Sequence, residues 1–287
     1  MVLAFTAEGL LWKSNKRDKY TSMLGISVWS SIAGIVFGAI WTAIDPSIWH
    51  DVTWRQVGLT FVISIFMSVR LFSWLGVLKR MHISIAEPLS LLPIVVIVPL
   101  SWWLFGGTLI WIEITLLVVI LLFGSKFGYF QTKHEISNCE CGKFKKGLLF
   151  LVLWASAAIP SDLLIQYVSE SGLSPGAYQL MRRSMITAIV GVALFAFNRK
   201  KFKPALLTGL KCPNFALIAV TSVIGGATYF ALAGTMNVGV LNAINVATTV
   251  LIVLGGALFF RERLRWYNYI FVSIILGSIV ALSIVGS

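Results

Sequence analysis

Glu87 lies inside an apolar stretch, residues 84–105, and is followed at once by Pro88, with Pro93 and Pro99 further along. An ionised side chain at the bilayer centre costs at least a few kcal/mol, so it is expected to face a cavity or a partner. Each proline removes a backbone donor and leaves a carbonyl free to bind something else. Arg70 stands about nine residues before the Lys79-Arg80 turn and Glu87 about seven after it, which predicts similar depth and makes Arg70 a counter-charge. Asn242, Asn245 and Thr249 are spaced i, i+3 and i+7 and so share one helical face, which in lipid must turn inward. With Ser84 these residues form the predicted substrate-binding set. Asp162 matches Arg182 and Arg183 in depth on two consecutive apolar segments, and the three are read as a structural ion pair that fixes helix packing.

Other chemistries find little support. Cys139, Cys141 and Cys212 stand outside the apolar runs, without zinc spacing or histidine company, and read as free loop thiols. His50, His82 and His134 are scattered in loops, and no Ser/His/Asp or His/Glu cluster shares a helical face, so neither a metal site nor a catalytic centre is expected. No Gly-x-x-x-x-Gly-Lys-Ser/Thr loop is present to hold ATP, and no cofactor is predicted. An intramembrane enzyme using Glu87 or Asp162 as acid or base would need a second catalytic group on a facing helix. A non-transporting membrane scaffold is the other alternative, favoured if the polar residues turn away from any cavity.

The elements that must position these residues are set by composition. The 287 residues are 58% hydrophobic and 12% charged, with a mean hydropathy of +0.89, too little polar surface to coat a water-soluble globule of this size. Apolar segments near 21–43, 57–78, 84–105, 108–124, 147–168, 177–198, 214–236, 240–260 and 267–285 are each long enough to be a membrane-spanning helix, nine in all. The stretch from Val2 to Trp12, which contains Glu8, is too short to span alone.

The net charge of +12 arises from basic residues in the loops between apolar segments rather than on one face, so it reads as a topology signal and not as a nucleic-acid surface. Of the 23 basic residues, nineteen fall in loops of one side, Arg55 alone in those of the other, and three within spans. The loaded side is expected to be cytoplasmic, which puts Ser287 outside.

Sliding the chain against itself by 158 residues reveals a gap-free repeat. Tyr20 falls on Tyr178, Phe72 on Phe230 and Gly76 on Gly234, while Ser84, Glu87 and Ser90 fall on Asn242, Asn245 and Thr248. This predicts a first repeat over 1–128, a polar linker over 129–145 and a second repeat over 146–287. The first repeat lacks about the first dozen residues of its opening helix, through a start codon placed too far downstream or as a natural nine-span variant. Five helices per repeat is an odd number, so the second repeat enters the membrane with inverted orientation.

Residues 224–285 resemble the EamA-type domain of the drug/metabolite transporter superfamily. The resemblance is carried by Tyr229-Phe230-Ala231-Leu232, by Asn242 to Thr249, by Glu262 in Phe260-Arg261-Glu262-Arg263-Leu264, by Gly277, and by Arg182 or Arg183 near the start of a second helix. Ile85-Ala86-Glu87-Pro88-Leu89 and Leu92-Pro93 show the same plan more weakly. The first half departs from it where Leu104 stands opposite Glu262, and Leu24 and Gly25 opposite the two arginines. The resemblance implies an all-α, polytopic fold of two inverted five-helix repeats around a central cavity. It further implies a secondary or facilitative transporter of a small organic solute by alternating access, in the cell inner membrane. The expected partners are the solute and the lipid bilayer, with room for a homodimer.

Overall fold

The computed structural model describes residues 1–14, 18–49, 52–81, 83–105, 141–235 and 266–285, with scattered positions between 111 and 126 and between 241 and 259. Every regular element among them is helical: α1 (Val2–Ser14), α2 (Lys19–Ile44), α3 (Trp54–Leu78), α4 (Ile83–Ser90), α5 (Ile94–Phe105), α6 (Cys141–Glu170), α7 (Pro175–Phe197), α8 (Arg199–Leu210), α9 (Pro213–Ala233) and α10 (Trp266–Val285), with one 3-10 turn over Pro46–Trp49. Among the described residues, Lys19–Ile44, Trp54–Leu78, Gly142–Glu170, Pro175–Phe197 and Pro213–Ala233 are long and apolar enough to cross a membrane. The chain is an all-α membrane protein. With 13 residues, α1 reaches only about 20 Å, short of a hydrocarbon core.

Local chemistry sets the helix ends. The Asp18 carboxylate caps α2 by accepting from the Thr21 amide at 3.0 Å. At α3 a capping box is closed by Thr53 and Gln56, each side chain accepting from the other's amide, at 2.9 and 3.3 Å. After α6, Gly172 takes a φ of 83°, a left-handed turn that glycine adopts without strain. Ser174 then caps α7, with Pro175 at the first helical position.

The chain divides into two compact units, residues 3–75 with 164–235 and residues 76–163 with 236–287. In the first, α2 and α7 run antiparallel. Gly38 meets Leu180 and Gly34 meets Arg183, where an added Cβ would come within 2.6 Å and 2.9 Å of side-chain carbons. Further along, the Thr187 hydroxyl donates to the Ser27 carbonyl at 2.6 Å and Tyr20 to that of Leu194 at 2.7 Å. The Gly34-x-x-x-Gly38 spacing works as small-residue pairs do in lipid, letting backbones approach. Gly209 of α8 packs directly on Gly25 of α2; a Cβ there would lie 2.7 Å from the Gly25 Cα. On α3, Thr60, Ser64 and Ser68 form a buried stripe, each hydroxyl bonded to the carbonyl four residues back.

In the second unit, Gly76 meets Phe150 of α6, and the Arg80 guanidinium lies 4.7 Å from the same ring. The apolar stretch 84–105, expected as one span, is divided into α4 and α5 by a turn at 91–93. Pro93 has no amide to donate, and the chain crosses the break on short bonds such as Ile94 N to Leu91 O at 3.0 Å and Val95 N to Leu92 O at 3.1 Å. Pro99, by contrast, stays within α5. α6 opens at Cys141, inside the stretch read as linker, and carries Pro160 without interruption.

Candidate functional site

Charged groups gather in the first unit where α1, α7 and α9 meet. The sequence places Gln179, Arg182 and Arg183 within one turn and a half of α7, Ser222 and Gly226 one turn apart on α9, and Glu8 and Trp12 one turn apart on α1. Gln179 and Arg182 are buried. The Gln179 Oε1 accepts from Arg182 Nη2 at 2.8 Å and from Arg183 Nε at 3.4 Å. That double acceptance fixes the amide orientation and turns its Nε2 donor away. Arg183 Nη2 donates to both the carbonyl and the hydroxyl of Ser222, at 2.7 and 2.8 Å.

Aromatic groups close the cluster. Tyr178 stacks on Phe230 with ring centroids 3.8 Å apart and planes 14° from parallel. The Arg182 guanidinium carbon lies 5.0 Å from the Tyr178 ring, and its Nη1 lies 3.5 Å from the Tyr178 hydroxyl. Gly226 makes room: an ideal Cβ there would stand 2.7 Å from Arg182 Nη2 and 3.0 Å from Gln179 Nε2. The adjacent Gly225 receives Phe5 of α1 in the same way, at 2.8 Å.

Through that contact α1 delivers a carboxylate. Glu8 accepts from the Trp12 indole at 3.1 Å, is engaged by the Ser222 hydroxyl, and faces the charges of Arg183 and Arg182. Two guanidinium cations thus meet one carboxylate. Donors still exceed acceptors, because Arg182 Nε and Gln179 Nε2 are buried without a hydrogen-bond partner among the described residues.

The predicted residues are distributed as follows. Arg182 and Arg183 sit together in this cluster. Asp162 belongs to the second unit, where the Ser161 hydroxyl lies 3.4 Å from its Oδ1. Arg70 is half-buried on α3 in the first unit, and Glu87 is half-buried on α4 in the second. The Glu87 carbonyl accepts from Ser90 Oγ at 2.7 Å, one residue before the break at 91–93. Thr249 is buried in the second unit beside Thr248, whose hydroxyl has no hydrogen-bond partner among the described residues. Asn242, Asn245 and the side chain of Ser84 lie outside the described residues. Cys212 is a free, half-buried thiol at the cap of α9; Cys139 and the side chain of Cys141 lie outside the described residues. Glu8, Gln179 and Ser222 were not among the predicted site residues. Glu8 gave one signal, an acidic side chain in an otherwise apolar helix.

No family model matches the chain, and no curated protein does. Among solved structures 20 chains match, so the fold is one already observed experimentally. One crystal structure, described only as that of a protein, is similar over 99% of this chain and 97% of its own, with a TM-score of 0.55 and 14% identity. At that identity the likeness concerns the fold alone.

Proposed function

We propose that this protein is a secondary or facilitative transporter of a small organic solute, working by alternating access between two inverted five-helix repeats of the drug/metabolite transporter type. The observation that carries the reading is the way the compact units draw on the two halves of the chain. Displaced by 158 residues, 3–75 becomes 161–233, within a few residues of its companion segment 164–235. The same displacement lays α2 over α7, α3 over α9, and α1 over the last turns of α6. Glu8 then falls on Gln166 and Trp12 on Glu170. Each pair carries one side-chain bond across a helical turn, Trp12 to Glu8 at 3.1 Å and Gln166 to Glu170 at 2.8 Å. Inverted repeats, with polar groups held inside apolar helices, are the common plan of secondary transporters. In this reading α1 is the counterpart of the last turns of α6, nine full spans cross the inner membrane, and the basic loops face the cytoplasm. Glu87, Arg70, Ser84, Asn242, Asn245 and Thr249 line the solute path.

Proteoliposomes loaded with labelled amino acids, nucleobases, sugars and organic acids test this directly. One class should leave faster than from protein-free vesicles, and the Glu87→Gln variant should slow that loss while inserting normally. Loss equal to that from protein-free vesicles for every class removes the transport reading.

A further inference from the structure

The buried cluster in the first unit has more hydrogen-bond donors than the protein supplies acceptors, and they are of a kind that selects planar anions. Arg182 is 6% exposed and Gln179 is fully buried, yet Arg182 Nε and Gln179 Nε2 lack partners among the described residues. A buried donor left without an acceptor keeps its full desolvation penalty. Gly226 lets the α9 backbone pack against Gln179 Nε2 and Arg182 Nη2 without offering either nitrogen a side-chain acceptor. The cluster already faces one carboxylate, that of Glu8, presented by a short helix rather than by a spanning one. With two guanidiniums and one carboxylate, the formal balance is one positive charge in excess. A singly charged carboxylate would neutralise it and supply acceptors of the kind these donors lack. The Tyr178–Phe230 stack beside Arg182 supplies an apolar wall for whatever the carboxylate is attached to.

We propose that Gln179, Arg182 and Arg183 form the subsite for the carboxylate of the solute, and that Glu8 is an internal anion that weakens binding by partly satisfying the same guanidiniums. The assignment rests on the transport reading for the word solute, but the binding site does not. Arg182 and Gln179 contact the ligand; Arg183, already bonded to Ser222, holds the local charge and orients Gln179.

Thermal unfolding of the full chain purified in detergent tests it, with benzoate, succinate, orthophosphate and choline added at constant ionic strength. A ligand that binds only the folded protein raises its midpoint. Benzoate should raise it in the wild type. In Glu8→Gln the half-saturating benzoate concentration should fall several-fold, and in Arg182→Gln the shift should vanish. No benzoate shift in either the wild type or Glu8→Gln overturns the proposal, as does a shift undiminished in Arg182→Gln or matched by choline or orthophosphate. Should Arg182→Gln fail to fold, Glu8→Gln decides alone, and benzoate binding no tighter than in the wild type overturns it. Flux in proteoliposomes separates the two readings. Arginine-dependent carboxylate binding without flux of any solute keeps the subsite and removes the transporter. Flux of a solute without such binding keeps the transporter and removes the subsite.

Discussion

Two adjacent arginines in an apolar helix are a burden unless something answers their charge, and in the first unit Glu8 and Ser222 do so for Arg183 while Gln179 and Tyr178 attend Arg182. Removing the carboxylate while leaving the guanidiniums should therefore destabilise the ligand-free protein. Glu8→Gln is expected to cost about 1–3 kcal/mol, less than a fully buried pair because Glu8 is only half-buried. Arg183→Gln alone should also destabilise. The double variant should lose less than the sum of the two, and an additive result in chemical unfolding would show that the groups do not couple. The arginines were legible in the sequence, since charges within apolar segments stand out. Their surroundings were not. Matching residues by depth compares only spanning segments and says nothing of direction around a helix axis. Nor does it credit a group such as Glu8, on a helix too short to cross. Gln179 is uncharged and sits among apolar neighbours, so only its place one turn before the arginines marks it in hindsight.

Between helices the deciding residues are the smallest ones. α2 and α7 approach closely because Gly34 and Gly38 present no side chain to Arg183 and Leu180. Gly38→Val should force the helices apart and cost about 1–3 kcal/mol, seen as a lower midpoint in thermal unfolding. Gly191→Val, on α7 with open space around it, is the control and should change little. Gly225 and Gly226 likewise make close contacts, to Phe5 and to the α7 donors. Helix existence was well read: five of the expected apolar segments reappear as spans within a few residues. The division of 84–105 was not, because hydropathy averaged over a span is insensitive to a three-residue turn. There the missing amide of Pro93 decides, and Pro88 and Pro99, equally visible in the sequence, do not mark the break.

For the molecule as a whole, the lopsided placement of basic residues makes a claim about sidedness that Cys212 can check. With Cys139 and Cys141 changed to serine, Cys212 should escape a membrane-impermeant maleimide in intact cells and react once the membrane is permeabilised. Labelling in intact cells would reverse the orientation and leave the fold untouched. Cys212 follows α8, where Arg199, Lys200, Lys201 and Lys203 crowd one end of a 12-residue helix. The opposite end of α8 rests on α2 at Gly25 and Gly209, backbone against backbone. With backbone packed on backbone there, α8 is expected to follow a displacement of α2. A fluorophore at the exposed Lys203 would then be a pointer fixed to an internal lever, reporting in real time what happens to α2 when a ligand arrives.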